Sequence, residues 1–191
     1  MRSSRLRAFL FVFVSMLLVA CASSMPARMR DEIAKSPPGT ATVVFFTDFQ
    51  CPFCRRTHAA LEEAMAQRPN KVRVVLVHVP LRSHPDARGA AKASICAEAQ
   101  GIDLGHALAT SPDLSEATCE DLAVKLGADP NVFHDCLGAS STRERLERDE
   151  TFYDAIEGDG VPILYVGKSR LDGQQSATTL LAAIDRAMSQ R

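Results

Sequence analysis

Thr40-Ala41-Thr42-Val43-Val44-Phe45-Phe46-Thr47-Asp48-Phe49-Gln50-Cys51-Pro52-Phe53-Cys54 is the stretch that decides how this chain is read. Its first half is rich in β-branched and aromatic residues, with no polar interruption after Thr42, and reads as a buried strand. Thr47 to Gln50 is a short loop. Pro52 then opens a helical stretch to about Gln67, at a position where its missing N–H costs nothing. Cys51 and Cys54 therefore stand directly after a strand, at the start of a helix.

That placement is what dithiol chemistry needs. Unpaired N–H groups and the positive end of the helix dipole stabilise a thiolate on the first cysteine, which makes Cys51 the candidate nucleophile. Cys54 lies one turn on, within disulfide reach, and faces inward with Leu61 and Met65, so it can resolve a mixed disulfide. Metal binding is the competing reading, with Cys51, Cys54, His58, Cys119, His134 and Cys136 as conceivable ligands. Structural zinc favours two close pairs of ligands, whereas this chain has a single C-x-x-C with a proline inside it. No metal and no cofactor is expected.

Outward from that centre, Lys71 to Leu81 carries Val72, Val74, Val75, Leu76, Val77 and Val79, a second buried strand. Strand, helix, strand implies a parallel pair with a right-handed crossover. From about residue 83 to 158 the pattern is helical throughout: Ala87 to Gln100, Leu104 to Thr110, Ser115 to Leu126, Pro130 to Leu137 and Ser141 to Ile156. Pro162 to Val166 is a third strand, and Gly167-Lys168 turns it into an antiparallel partner at Ser169 to Leu171. A last helix, Ser176 to Ser189, sets Ala177, Leu180, Leu181, Ile184 and Met188 on one face. The expected class is α/β, a central mixed sheet flanked by helices, with an all-helical insertion.

The N-terminal end speaks of location. Arg2, Arg5 and Arg7 precede an apolar run of 13 residues from Ala8 to Ala20, broken only by Ser15. The run is shorter than the ~20 residues of a permanent membrane helix and reads as a signal peptide over residues 1–20. Leu18-Val19-Ala20-Cys21 resembles the bacterial lipoprotein signal, with Cys21 as the lipidated residue that anchors the chain in a membrane; an ordinary cleavage site near Ala20 or Ala22 is the alternative. Residues 21–38, with Ser23, Ser24, Pro26, Pro37 and Pro38, read as a linker holding a short helical turn around Arg28 to Lys35. The folded domain is expected over 39–191.

With 191 residues there is room for one such domain, and a formal net charge of -1 without long single-sign runs offers nucleic acid no general attraction. The six cysteines are informative by parity. With Cys21 taken by lipid and Cys51 paired with Cys54, the remaining Cys96, Cys119 and Cys136 form at most one disulfide and leave one thiol free. Spacing leaves all three pairings open.

Several stretches together resemble the DsbA-like branch of the thioredoxin superfamily, the bacterial periplasmic disulfide oxidoreductases. They are Phe46 through Arg56, Pro80-Leu81 with His84-Pro85, Ala91 through Cys96 to Gln100-Gly101, and Val161-Pro162 with Leu171 and Gly173. The resemblance implies a thioredoxin-like fold, a Cys96–Cys136 disulfide, and Pro162 as a cis-proline facing the cysteines. Val161 would then pair its backbone with an extended substrate peptide. Independently of the resemblance, Phe49 and Phe53 beside the cysteines are expected to be exposed and to give substrates apolar contact. Two departures matter. The family's buried acid, six residues before the first cysteine, is here Phe45. Phe53 replaces the histidine that makes the DsbA disulfide strongly oxidising, so a less oxidising disulfide is expected.

The function expected is a periplasmic or cell-surface thiol-disulfide oxidoreductase that oxidises exported protein thiols and is recycled by a membrane or periplasmic redox partner. Val161 before the proline and the lack of a separate dimerisation domain favour a monomeric oxidase over an isomerase. An anchored reductase or isomerase is the alternative. From another class come a redox-inactive lipoprotein and a copper carrier, which scattered methionines do not favour.

Overall fold

The computed structural model describes residues 25–190. The signal peptide over 1–20 and the lipidation residue Cys21 lie outside the described residues. The elements run α1 (Ala27–Ala34), β1 (Ala41–Thr47), α2 (Pro52–Ala66), β2 (Val72–His78), α3 (Ala87–Ala99), α4 (Gly105–Thr110), α5 (Glu116–Lys125), α6 (Pro130–Gly138), α7 (Ser140–Ala155), β3 (Ile163–Val166), β4 (Ser169–Asp172) and α8 (Ala177–Ser189). Strand order is β2-β1-β3-β4. β1 is parallel to β2, antiparallel to β3, and β3 is antiparallel to β4.

β1 is central and wholly buried, which accounts for its unbroken apolar run. Alternate residues serve opposite layers. Val43 and Phe45, with Leu164 and Val166 of β3, pack under Leu61 and Ala64 of α2 and Leu180, Ala183 and Ile184 of α8. Val44 and Phe46 face the other way, against Phe152 of α7, Ile156 just after it and Met29 of α1. The helices α3 to α6 keep a core of their own around Leu104, Leu108, Phe133 and Leu137. A Cys96–Cys136 disulfide ties α3 to α6 with Cα atoms 5.8 Å apart, and Cys119 remains a free, buried thiol.

One boundary needs correction. Residues 25–38 do not behave as a linker: α1 is part of the domain, which therefore begins before Gly39. Met29 is fully buried against the sheet. The Arg28 guanidinium donates to the Asp149 carboxylate at 2.6 Å, and that carboxylate is completely enclosed. A buried carboxylate without a partner is costly, so α1 has a second reason to dock beyond the area Met29 covers. Arg73 of β2 also donates to Glu32 of α1 at 2.9 Å. Prolines and serines flank α1 as linker signals, while its anchor partners are supplied from the middle and far end of the chain.

Candidate active site

Strand β1 ends at Thr47 and the chain turns through Asp48, whose carboxylate organises everything near the cysteines. One oxygen accepts from the Gln50 and Cys51 N–H groups at 2.7 and 3.2 Å. The other accepts from the Leu81 N–H at 2.9 Å and bonds the His84 ring at 2.8 Å. Such an Asx-type turn presents Cys51 as the residue just before α2. Gln50 adds a tie to the helical unit, accepting from the Asp86 N–H at 2.9 Å. Arg55 donates to the carbonyls of Phe49 at 3.3 Å and Ser111 at 2.6 Å, which clamps the loop from the other side. The Ser111 carbonyl is 56 positions away in sequence, so this clamp is visible only in three dimensions.

Cys51 and Cys54 are both present as thiols. Cys51 keeps 4% exposure, and Cys54 beneath it has none. Burial, the largest influence, pushes the Cys54 thiol well above the usual thiol range; the neighbouring Cys51 adds to the rise, while hydrogen bonding to the Asp48 N–H and the Thr47 hydroxyl opposes it. Across the site the Val161–Pro162 peptide bond is cis. The Cys51 Sγ lies 3.9 Å from the Val161 carbonyl oxygen. Gly173 donates its N–H to the Pro162 carbonyl at 2.9 Å, fixing this loop to the end of β4. Thus Cys51, Cys54, Val161 and Pro162, from opposite ends of the domain, meet in one place.

The two phenylalanines part company. Phe53 is 51% exposed beside the cysteines, with the Arg56 guanidinium 4.8 Å from its ring centre. Phe49 is 1% exposed and cannot meet a substrate, which corrects its assignment to a binding surface. The Asp48 turn sends its ring inward, between His58 at 5.5 Å and His78 at 5.7 Å, into the core of the helical unit. It plugs the sheet to the insertion.

Phe45 fills the place of the family's buried acid and packs against His58, centroids 4.5 Å apart and rings tilted by 39°. In sequence His58 is only a conceivable metal ligand and Thr47 the start of a loop; in the fold Thr47 ends β1, and its 3.2 Å contact, Thr47 Oγ1 to His58 Nε2, joins a strand end to a helix. Burial lowers the His58 pKa to about 3, assisted by the charges of His78, His106 and Arg55. Among the described residues no group of three or more His, Cys, Asp or Glu side chains is placed to hold a metal ion. Nor is any described helix long and apolar enough to cross a membrane.

This architecture matches known proteins. A profile of the family described as Thioredoxin matches residues 36–186. The solved structure of a thioredoxin-like oxidoreductase from Silicibacter pomeroyi superposes with a TM-score of 0.70 at 25% identity, covering 81% of this chain and 90% of that one. The thiol-disulfide exchange protein alpha-DsbA2 from Wolbachia pipientis gives 0.70 at 18% identity, covering 84% and 92%. The catalytic domain of Proteus mirabilis ScsC gives 0.69 at 18%, covering 85% and 96%. Among curated sequences, a Na(+)/H(+) antiporter NhaA 1 of Mycolicibacterium gilvum is 33% identical over 162 residues, 82% of this chain. The chain spans only 26% of that antiporter's length, so the likeness concerns a part of it.

Proposed function

The chain belongs to the thioredoxin family, and from that premise we propose that it is a DsbA-like thiol-disulfide oxidoreductase that oxidises the thiols of exported proteins through a Cys51–Cys54 disulfide. The observation that carries the proposal is the pairing of Cys51, a residue with 4% exposure whose Sγ lies 3.9 Å from the Val161 carbonyl, with a sealed Cys54 beneath it. A substrate thiolate attacks Cys51 Sγ of the disulfide, the S–S bond breaks, and Cys54 leaves as a thiolate that takes up a proton. The substrate's second thiolate then attacks its own sulfur in the mixed disulfide, and Cys51 leaves with the electron pair. In the opposite direction Cys54 is the resolving thiol. An extended substrate segment lies beside Val161, and Phe53 gives it apolar contact. The charged and apolar residues 1–20 and Cys21 after them support a lipid-anchored address at a bacterial membrane, facing the periplasm or exterior, where a redox partner would reoxidise the protein. The antiporter activity named for the sequence relatives is not carried over, because the match covers a quarter of their length.

The test is the equilibrium reduction potential of the pair in the mature chain, with a Cys54→Ala variant to trap mixed disulfides. A value nearer ~-120 than ~-270 mV supports the oxidase. A value at or below the reducing end replaces it with an anchored reductase, the direction that Phe53 in place of histidine favours.

A further inference from the structure

We propose that Thr47 and His58 form a hydroxyl–imidazole relay that carries the proton of Cys54, in place of the carboxylic acid that Phe45 displaces. The inference rests on the redox reading above. Strand alternation puts Thr47 on the same sheet face as Val43 and Phe45, the face that α2 covers. Cys54 and His58 are four residues apart on α2 and so share the face turned to that strand end. Both are buried, and Thr47 is near each: its hydroxyl is 3.2 Å from His58 Nε2, and hydrogen bonding to that hydroxyl works against the burial that raises the Cys54 pKa.

The step balances without any stored charge. When Cys54 attacks a mixed disulfide on Cys51, its S–H proton passes to Thr47 Oγ1 as the Thr47 proton passes to His58 Nε2. The His58 Nδ1 proton leaves to water, and the outgoing thiol departs with the electron pair of the broken S–S bond. When Cys54 is instead expelled as a thiolate, the same path runs backwards and delivers a proton to it. His58, 6% exposed, lines a cleft of about 1120 Å³ along β2, shared with Glu62, Leu76 and His106, and this cleft is the route to water that the relay uses. His78, by contrast, is sealed with both ring nitrogens unpartnered. An imidazole held neutral down to about pH 3 suits a conduit that exchanges one tautomer for the other and never needs to rest as a cation. Thr47 touches the reacting thiol; His58 acts through it and is a positioning residue.

The groups around the relay are Asp48 and Cys51 at the loop, Arg55 on α2, His78 on β2 and His106 on α4. The experiment mixes reduced protein, in a Cys119→Ala background, with an aromatic disulfide that releases a coloured thiolate. Attack by Cys51 gives a first release, and attack by Cys54 on the resulting mixed disulfide gives a second. Thr47→Val, close in shape, and His58→Gln are expected to slow the second phase at neutral pH by tenfold or more while leaving the first unchanged. Thr47→Ser is expected to recover most of the loss, and the gap should narrow as pH rises and hydroxide removes the proton directly. A second phase of wild-type speed in both Thr47→Val and His58→Gln overturns the relay and leaves the redox reading standing. If wild-type protein shows no second phase, the redox reading itself fails, and the relay with it. Should His58→Gln lose its cooperative melting transition, Thr47→Val alone decides.

Discussion

Two cysteine pairs sit in this domain under opposite physical rules. Cys51 and Cys54 are three positions apart, at the start of a helix, the first residue keeping 4% exposure and the second fully enclosed. Cys96 and Cys136 are 40 apart, join two helices of the insertion, and already share a disulfide. The first pair closes almost no loop, so its bond has little hold on the unfolded chain and is free to be made and broken. The second closes a long loop and contributes mainly by restricting that chain. Separation along the sequence thus sorts reactive sulfur from structural sulfur before any partner is known.

The largest expected effects break this contrast directly. Cys51→Ser is expected to abolish thiol exchange while leaving the urea midpoint of the reduced protein nearly unmoved. Replacing Cys96 and Cys136 together by alanine should do the reverse: exchange by Cys51 persists, while stability falls by about 4 kcal/mol, the chain-entropy value for a loop of this length. Denaturation and single-turnover kinetics on the same samples read both. If the double variant loses exchange without losing stability, the assignment of roles to the two pairs is wrong.

A smaller effect comes from the two buried histidines flanking Phe49. Burial lowers the pKa of His58 to about 3 and that of His78 to about 4, from an unfolded value near 6.5. Above pH 6.5 both rings are neutral in either state, and their stabilising contribution is fully present. As pH falls below 6.5 the unfolded chain takes up protons that the folded one refuses. Stability is then lost, at up to about 1.4 kcal/mol per pH unit per histidine, down to the folded values. Urea titrations at pH 7 and pH 5 should show this slope, and His78→Leu should remove about half of it. An unchanged slope in that variant would mean His78 already titrates normally in the fold.

The strands, the helix after the cysteines and the insertion were legible because each repeats a period that burial imposes locally. β1 is apolar throughout since it is central, and Pro52 marks the start of α2 on its own. The cis bond at Pro162 and the Cys96–Cys136 pairing followed only from resemblance, since spacing was silent on both. What could not be read depends on partners far along the chain. Asp149, 121 positions from Arg28, is what turns an apparent linker into α1. Arg55 looks solvated until the Ser111 carbonyl, 56 residues away, arrives. Thr47 and His58 carry no motif, and their contact exists only because α2 crosses the end of β1.

Phe49 and Phe53 give the finest version of the contrast, two identical side chains on either side of Cys51 with opposite surroundings. Sequence assigns both to a substrate surface, yet the Asp48 turn points one inward and the start of α2 leaves the other out. Phe49→Ala empties a fully packed site and is expected to cost about 3 to 5 kcal/mol of stability. Phe53→Ala removes a ring that already meets water, so folding should change by less than ~0.5 kcal/mol. If Phe53 supplies apolar contact to substrates, its loss should instead raise KM for an unfolded protein substrate severalfold, with kcat and the reaction with a small aromatic disulfide unchanged. A fall in kcat with KM unchanged would move Phe53 from substrate contact to the tuning of the Cys51 sulfur, since its ring follows that residue by only two positions on the same helix start.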